Sequence, residues 1–223
     1  GAGNLAIGYS AMLRHTTGAR NIAIGYGAMD DTDAGSTSLG SNDNIFMGYD
    51  AGGGTWANAE SNGNVGIGSY ALDAAMDGAL YNTAVGSYAA SAITSADNVT
   101  AIGNSAAYSL TTGANNIAMG FRAMVVHTTG ERNIAIGTEA MEDTDAGSTS
   151  LGSVDNTFIG HNAGGGTWAN AASNYNVGIG NYTLKGAMNG AVYNTVIGYS
   201  AGNGITSGDY NTFVGGFAGQ NLT

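Results

Sequence analysis

The stretch Asn21-Ile22-Ala23-Ile24-Gly25 decides the fold, because the chain repeats it twelve times. Each repeat has Asn (once Val99) at what we call the ladder position. Three strand residues follow, with Ile, Val or Met always third, and then an invariant Gly. The ladder positions are residues 4, 21, 44, 64, 82, 99, 116, 133, 156, 176, 194 and 211. Apolar alternation over so few residues predicts a short strand, since strand side chains alternate between two faces.

The repeats are themselves arranged in a longer repeat. Residues 1–111 align with residues 113–223 without a gap, and the uneven steps between ladder positions recur in the same order. Self-similarity at fixed periods is typical of solenoids. We therefore predict an all-β, parallel β-solenoid of about twelve coils, formed by two six-coil copies in one continuous stack. Neither end reads as a capping coil, so we expect end-to-end self-assembly into a longer fibre.

Composition excludes several other classes. The chain has 39 Gly but no Pro, which excludes collagen, and its 43% of hydrophobic residues are periodic, which argues against disorder. There is no Cys, and no apolar run is long enough to cross a membrane, so we expect no membrane insertion. A net charge of −11 with only five Lys and Arg argues against binding nucleic acid.

The two faces of the predicted strand differ in size. The third strand residue is large and aliphatic in every repeat, so we expect a buried column that includes Ile7, Ile24, Met47 and Ile67. The second strand residue is mostly small, which indicates close approach of a neighbouring chain. We expect this shared face to include Ala23, Ala84, Ala118 and Ala135.

The ladder Asn and the invariant Gly have predicted structural roles, represented by Asn21 and Gly25 in the first copy and by Asn133 and Gly137 in the second. Asn can hydrogen-bond its stacked neighbour, which predicts an Asn ladder along one edge of the solenoid. An invariant Gly among repeats implies a positive φ or a close backbone approach. The Ala that follows three residues after this Gly in eleven repeats predicts a second inward-facing segment.

These motifs resemble known fibre proteins. Asn21-Ile22-Ala23-Ile24-Gly25 is similar to the head repeat of YadA-type trimeric autotransporter adhesins, and residues 82–89 resemble the Asn-Thr-Ala-Val-Gly repeats of phage tail fibres. The resemblance covers nearly the whole chain. It implies a left-handed parallel β-roll that forms a trimer, with a structural or adhesive role outside the cell, on a cell surface or on a virion.

The longest steps between ladder positions carry extra residues that are nearly unchanged between copies, and such loops are where solenoids usually bind partners. Trp56 with Asn58, and Trp168 with Asn170, could stack on and bind a surface glycan. The alternative is that each Trp covers a local hydrophobic cluster or is buried against a neighbouring chain.

The same loops contain pairs of carboxylates. Asp31 and Asp33, and their copies Asp143 and Asp145, have the spacing of part of a calcium loop, and hard cations prefer several oxygen ligands. The remaining positions of an EF-hand are missing, so a solvated acidic turn is the alternative. We expect no other cofactor.

The sequence therefore predicts a non-enzymatic structural or adhesive fibre segment that self-associates. The chain has no Cys nucleophile. Two alternatives remain open: a solenoid enzyme acting on polysaccharide, and an ice-binding solenoid. Ice binding needs an even Thr array, and Thr is the first strand residue only at Thr83, Thr100, Thr157, Thr195 and Thr212.

Overall fold

The computed structural model describes residues 1–32, 40–56, 59–144, 152–168 and 171–222. Its contacts divide the chain into two units, Gly1–Thr112 and Gly113–Thr223. Each unit contains six three-residue strands, one in each repeat. The strands are β1 (Leu5–Ile7), β2 (Ile22–Ile24), β3 (Ile45–Met47), β4 (Val65–Ile67), β5 (Thr83–Val85), β6 (Thr100–Ile102), β7 (Ile117–Met119), β8 (Ile134–Ile136), β9 (Thr157–Ile159), β10 (Val177–Ile179), β11 (Thr195–Ile197) and β12 (Thr212–Val214).

Within each unit the strands pair in parallel and in chain order. Ala23 lies beside Phe46 and Phe46 beside Gly66, although the two steps along the chain differ in length. The register of the sheet is therefore the same across the longer and the shorter steps. The predicted all-β, parallel β-solenoid is confirmed.

The interior of each coil is lined by the second strand residue, which is buried in every strand from β2 to β11. The facing side of the interior is formed by the second segment predicted from the sequence, which contains the Ala three residues after the invariant Gly. These Ala residues are also buried, from Ala28 to Ala201. Thr183 replaces one of these Ala residues and is equally buried. Its hydroxyl group is satisfied in the interior, because it donates to the carbonyl oxygen of Gly198 at 2.7 Å.

The prediction of which strand face is buried is wrong. The side chains of Ile7, Met47 and Ile67 are 53%, 37% and 38% exposed, and Ile24 is only half-buried. The small row that we expected at a shared face, which includes Ala23, Ala84, Ala118 and Ala135, instead lies inside the coil with no exposure. A narrow coil has room for Ala on both of its facing segments, so the large aliphatic side chains point outward.

Large interior residues are compensated within the same coil. Where the second strand residue is Phe46 or Phe158, the residue four positions after the invariant Gly is Gly52 or Gly164. A Cβ on Gly52 would lie 2.7 Å from the Phe46 ring, and one on Gly164 would lie 2.8 Å from Phe158. Coils with a small second residue carry Met, Leu or Ala at that position, so the interior volume of a coil is approximately conserved.

The invariant Gly is required both by its dihedral angle and by its surroundings. Gly25 has φ 141° and Gly137 has φ 135°. A Cβ on Gly25 would meet the carbonyl oxygen of Gly48 in the next coil, and one on Gly137 would meet that of Gly160. The positive φ and the close backbone approach expected from the sequence are both observed.

Candidate interaction surface

The ladder Asn residues form a continuous hydrogen-bonded row in each unit. The Oδ1 atom of Asn21 accepts from the backbone N–H of Asn44 at 2.9 Å and from its Nδ2 at 3.1 Å. Asn133 accepts from Asn156 in the same way, at 3.0 and 3.1 Å. The Asn ladder is therefore confirmed, but it is buried rather than along an edge of the solenoid, except at Asn4 and Asn211.

A buried histidine extends the ladder inside the second unit. The Nε2 atom of His127 lies 3.2 Å from the Nδ2 of Asn133, and its Nδ1 lies 2.9 Å from the hydroxyl of Thr144. Because the amide nitrogen of Asn133 can only donate, Nε2 must accept, which leaves the proton of a neutral ring on Nδ1. A Cβ on Gly130 would overlap this ring, which accounts for the Gly three residues later.

The tryptophans do not present the exposed ring faces that glycan stacking needs. Trp56 is 2% exposed and packs edge-on against Phe46 at 5.6 Å between ring centroids, and Trp168 is 3% exposed and packs in the same way on Phe158. The expectation of an exposed Trp is therefore wrong, and each ring covers a local aromatic cluster. Asn58 and Asn170 lie outside the described residues.

The described carboxylates of the predicted calcium loops have partners within the chain. Asp31 accepts from Arg14 at 2.8 Å and from the hydroxyl of Thr55 at 2.5 Å. Partial burial raises the pKa of Asp31, but these two hydrogen bonds outweigh it, so the net shift is downward. In the second unit, Asp143 accepts from Thr167 at 2.5 Å.

The other two members of the predicted calcium pairs, Asp33 and Asp145, lie outside the described residues. Among the residues that the structure describes, no group of three or more acidic, His or Cys side chains is placed to hold a metal ion. Calcium binding by the two pairs therefore stays a prediction.

The outer face of the sheet is the main apolar surface of each unit. The first and third strand residues point outward, and none of them is charged. Met47, Ile67 and Ile102 in the first unit are 37–38% exposed, and Ile159 and Ile179 in the second are 37–38% exposed. A continuous aliphatic strip therefore follows the sheet in each unit.

The strip is bordered by two columns of exposed or half-exposed residues. The N-flank is the residue before each ladder position: Gly3, Arg20, Asp43, Gly63, Tyr81, Asn98, Asn115, Arg132, Asp155, Tyr175, Tyr193 and Tyr210. The C-flank is the residue after each invariant Gly: Tyr9, Tyr26, Tyr49, Ser69, Ser87, Asn104, Phe121, Thr138, His161, Asn181, Tyr199 and Gly216. Every N-flank residue has a positive φ, and this backbone conformation forms the turn that precedes the strand.

Aromatic rings stack along these columns from coil to coil. On the C-flank, Tyr9 stacks on Tyr26 and Tyr26 on Tyr49, each at 5.1 Å between centroids. On the N-flank of the second unit, Tyr193 stacks on Tyr175 at 4.8 Å and on Tyr210 at 5.1 Å. The stacked rings remain open to solvent at their outer edges, and Tyr9 and Tyr210 are 72% and 74% exposed.

The charged residues of the N-flank are paired within the chain. Arg20 donates to both carboxylate oxygens of Asp43, at 2.6 and 2.7 Å, and Arg132 does the same to Asp155, at 2.7 and 3.0 Å. The hydrogen bond from arginine is the main cause of a lowered pKa at both Asp43 and Asp155. The surface around the aliphatic strip therefore has little unbalanced charge, although the net charge of the chain is −11.

These features define the chain as a parallel β-solenoid whose sheet carries an apolar outer face in each unit. Comparison of the chain with family models, curated proteins and solved structures finds no match. In the described part of the chain, no helix is long and apolar enough to cross a membrane.

Proposed function

We propose that this chain is a non-enzymatic structural segment of a fibre, and that its copies associate through the outer face of the sheet. The observation that carries the proposal is the position of the exposed large apolar side chains. Most of them belong to the aliphatic strip and its two flanks, outside the packed interior of the coils.

The size of this face favours a protein partner over exposure to water. Six strands about 4.8 Å apart, with flanks on the order of 20 Å apart, give an area of roughly 500 Å² per unit. The largest apolar patch on a soluble monomer is about 300–600 Å², and patches at the upper end of this range often mark interaction sites.

A second copy is the partner that best fits this face. The strip carries no charge, and its flanking Arg–Asp pairs are already satisfied, so two copies can meet there without burying unpaired charge. A narrow coil also has little interior of its own, and burying an outer face between copies supplements it.

The test introduces charge at the centre of the strip in both units. We expect Ile67→Glu combined with Ile179→Glu to raise the Kd for self-association more than about a hundred-fold. The reason is that burying an unpaired carboxylate costs about 3 kcal/mol or more. Sedimentation velocity measures the association, and circular dichroism checks that the fold is retained.

The matched control is Ser95→Glu combined with Ser207→Glu, at equivalent exposed positions of the two units outside the strands. It adds the same charge and should leave association unchanged. A wild-type chain that sediments as a monomer at micromolar concentration would refute the proposal, and a strip variant that associates as tightly as the control would exclude this face.

A further inference from the structure

We infer that the stacked tyrosines of each unit are a site of oxidative modification, at which a one-electron oxidant joins the rings of neighbouring coils as dityrosine. The inference does not depend on the proposed function, because it concerns ring contacts within one chain. Such links would connect neighbouring coils covalently in a chain that has no Cys for disulfides.

Face-to-face tyrosine pairs connect neighbouring coils in both units. Among the described residues, eight of the twelve Tyr form five such pairs. In every pair the ring centroids are 4.8–5.1 Å apart and the ring planes differ by only 4–16°. The pairs are Tyr9–Tyr26, Tyr26–Tyr49, Tyr70–Tyr88, Tyr175–Tyr193 and Tyr193–Tyr210.

All eight stacked rings are accessible to a dissolved oxidant. Tyr70 is half-buried and the other seven are exposed. Phe could stack in the same way, yet the exposed Phe121 and Phe217 belong to none of the face-to-face pairs. The consistent use of Tyr in these pairs favours a role for the hydroxyl group, which a phenoxyl radical requires.

The stacked geometry matches the first contact of phenoxyl coupling. Each tyrosine loses one electron to the oxidant and its hydroxyl proton to water, which leaves unpaired spin on the ortho carbons in orbitals perpendicular to the ring. Stacked radicals overlap through these orbitals, so a C–C bond can form between one ortho carbon of each ring without a search for the partner. The hydrogen on each bonded carbon then moves to the phenolic oxygen, which restores both aromatic rings. With persulfate as the final electron acceptor, two tyrosines and one persulfate give one dityrosine, two sulfate ions and two protons.

The remaining tyrosines are internal controls for this geometry. Tyr108 lies edge-on to Tyr88, with centroids 6.1 Å apart and an angle of 67°. Tyr182 lies edge-on to Tyr199, at 5.8 Å and 86°. Tyr81 is exposed and has no ring partner within the described part of the chain. These rings can be oxidised, but their ortho carbons do not face another tyrosine ring for coupling.

Oxidation of the full chain by a photoexcited ruthenium complex with persulfate tests the inference. Unlabelled chains are mixed with chains that carry a heavy nitrogen isotope, so that mass spectrometry separates links within one chain from links between chains. We expect links of the five stacked pairs within one chain to exceed all links of Tyr81 by more than about ten-fold. The reason is that neighbouring rings have an effective concentration on the order of millimolar, whereas the chains are micromolar.

A pair of matched variants assigns the links to individual rings. Tyr26→Phe keeps the stacked ring but removes its hydroxyl group, so the links to Tyr9 and Tyr49 should disappear while the other three stacked pairs still couple. Tyr81→Phe is the control and should leave all five links unchanged.

The outcomes that would overturn the inference are distinct from those that test self-association. Equal yields from stacked, edge-on and isolated tyrosines would show that stacking does not direct the coupling. Equal yields in folded chains and in urea-unfolded chains would show the same, and the absence of dityrosine from folded chains would exclude the modification. Monomers in sedimentation would refute the proposed function but would leave these links within one chain as expected.

Discussion

Replacing Asn64 by Ala removes the centre of the buried ladder in the first unit. The Oδ1 of Asn64 accepts from the backbone N–H of Asn82 at 2.9 Å, and its Nδ2 donates to the carbonyl oxygen of Ala79 at 2.9 Å. Asn64→Ala leaves both of these buried groups without that partner. At about 1–3 kcal/mol for each buried unsatisfied group, the expected loss is about 2–6 kcal/mol, a large part of a typical stability of about 5–15 kcal/mol.

The matched control is the same substitution at Asn211, which is half-exposed. Its Nδ2 donates to the Oδ1 of Asn194, but that oxygen keeps the backbone N–H of Asn211 at 3.0 Å after the change. No buried group loses its last partner, so Asn211→Ala should cost about 1 kcal/mol or less.

Urea denaturation at one fixed protein concentration measures both variants, because association contributes to apparent stability. Hydrogen exchange adds a local measurement, since the amide of Asn82 should lose protection in Asn64→Ala and keep it in Asn211→Ala. Equal losses of stability in the two variants, or an unchanged exchange rate at Asn82, would show that the ladder does not stabilise the coil as its geometry indicates.

Two further predictions concern the interior and the flanks. Gly52→Ala should destabilise by about 2–4 kcal/mol through overlap with Phe46 and a φ of 63°, and by clearly less in a Phe46→Ala background. Additive losses in a double-mutant cycle would contradict this coupling. The pKa of Asp155 is lowered by Arg132, so its contribution to stability is present above the unfolded value of about 3.9 and is lost as the pH falls through the folded pKa. Asp155→Asn should therefore weaken the dependence of the urea midpoint on pH below about pH 4. The same pH dependence in Asp155→Asn and in the wild type would refute the stabilising role of the Arg132–Asp155 pair.

The sequence determined the local structure of every coil. Period-2 alternation in five residues specifies a short strand, a recurrent Asn specifies a stacked polar row, and an invariant Gly specifies a backbone that no side chain tolerates. These features need only neighbouring residues and the next repeat, so they could be derived without knowing what surrounds the coil. The parallel register followed as well, because each repeat presents the same groups to the next.

Only the tertiary structure decided which face of the strand is inside. Alternation defines two faces of the strand but does not say how wide the enclosed space is. From residue size alone we predicted that Ile24 lies inside and Ala23 outside, and the structure shows the opposite. The coil is narrow, and in most coils the two facing interior positions are Ala or Gly, while Gly52 makes room for Phe46. That pairing of a large residue with a Gly six positions later was visible in the sequence and would have identified the interior. The burial of Trp56 follows from the same cluster, because its ring packs against the Phe46 that the interior accommodates.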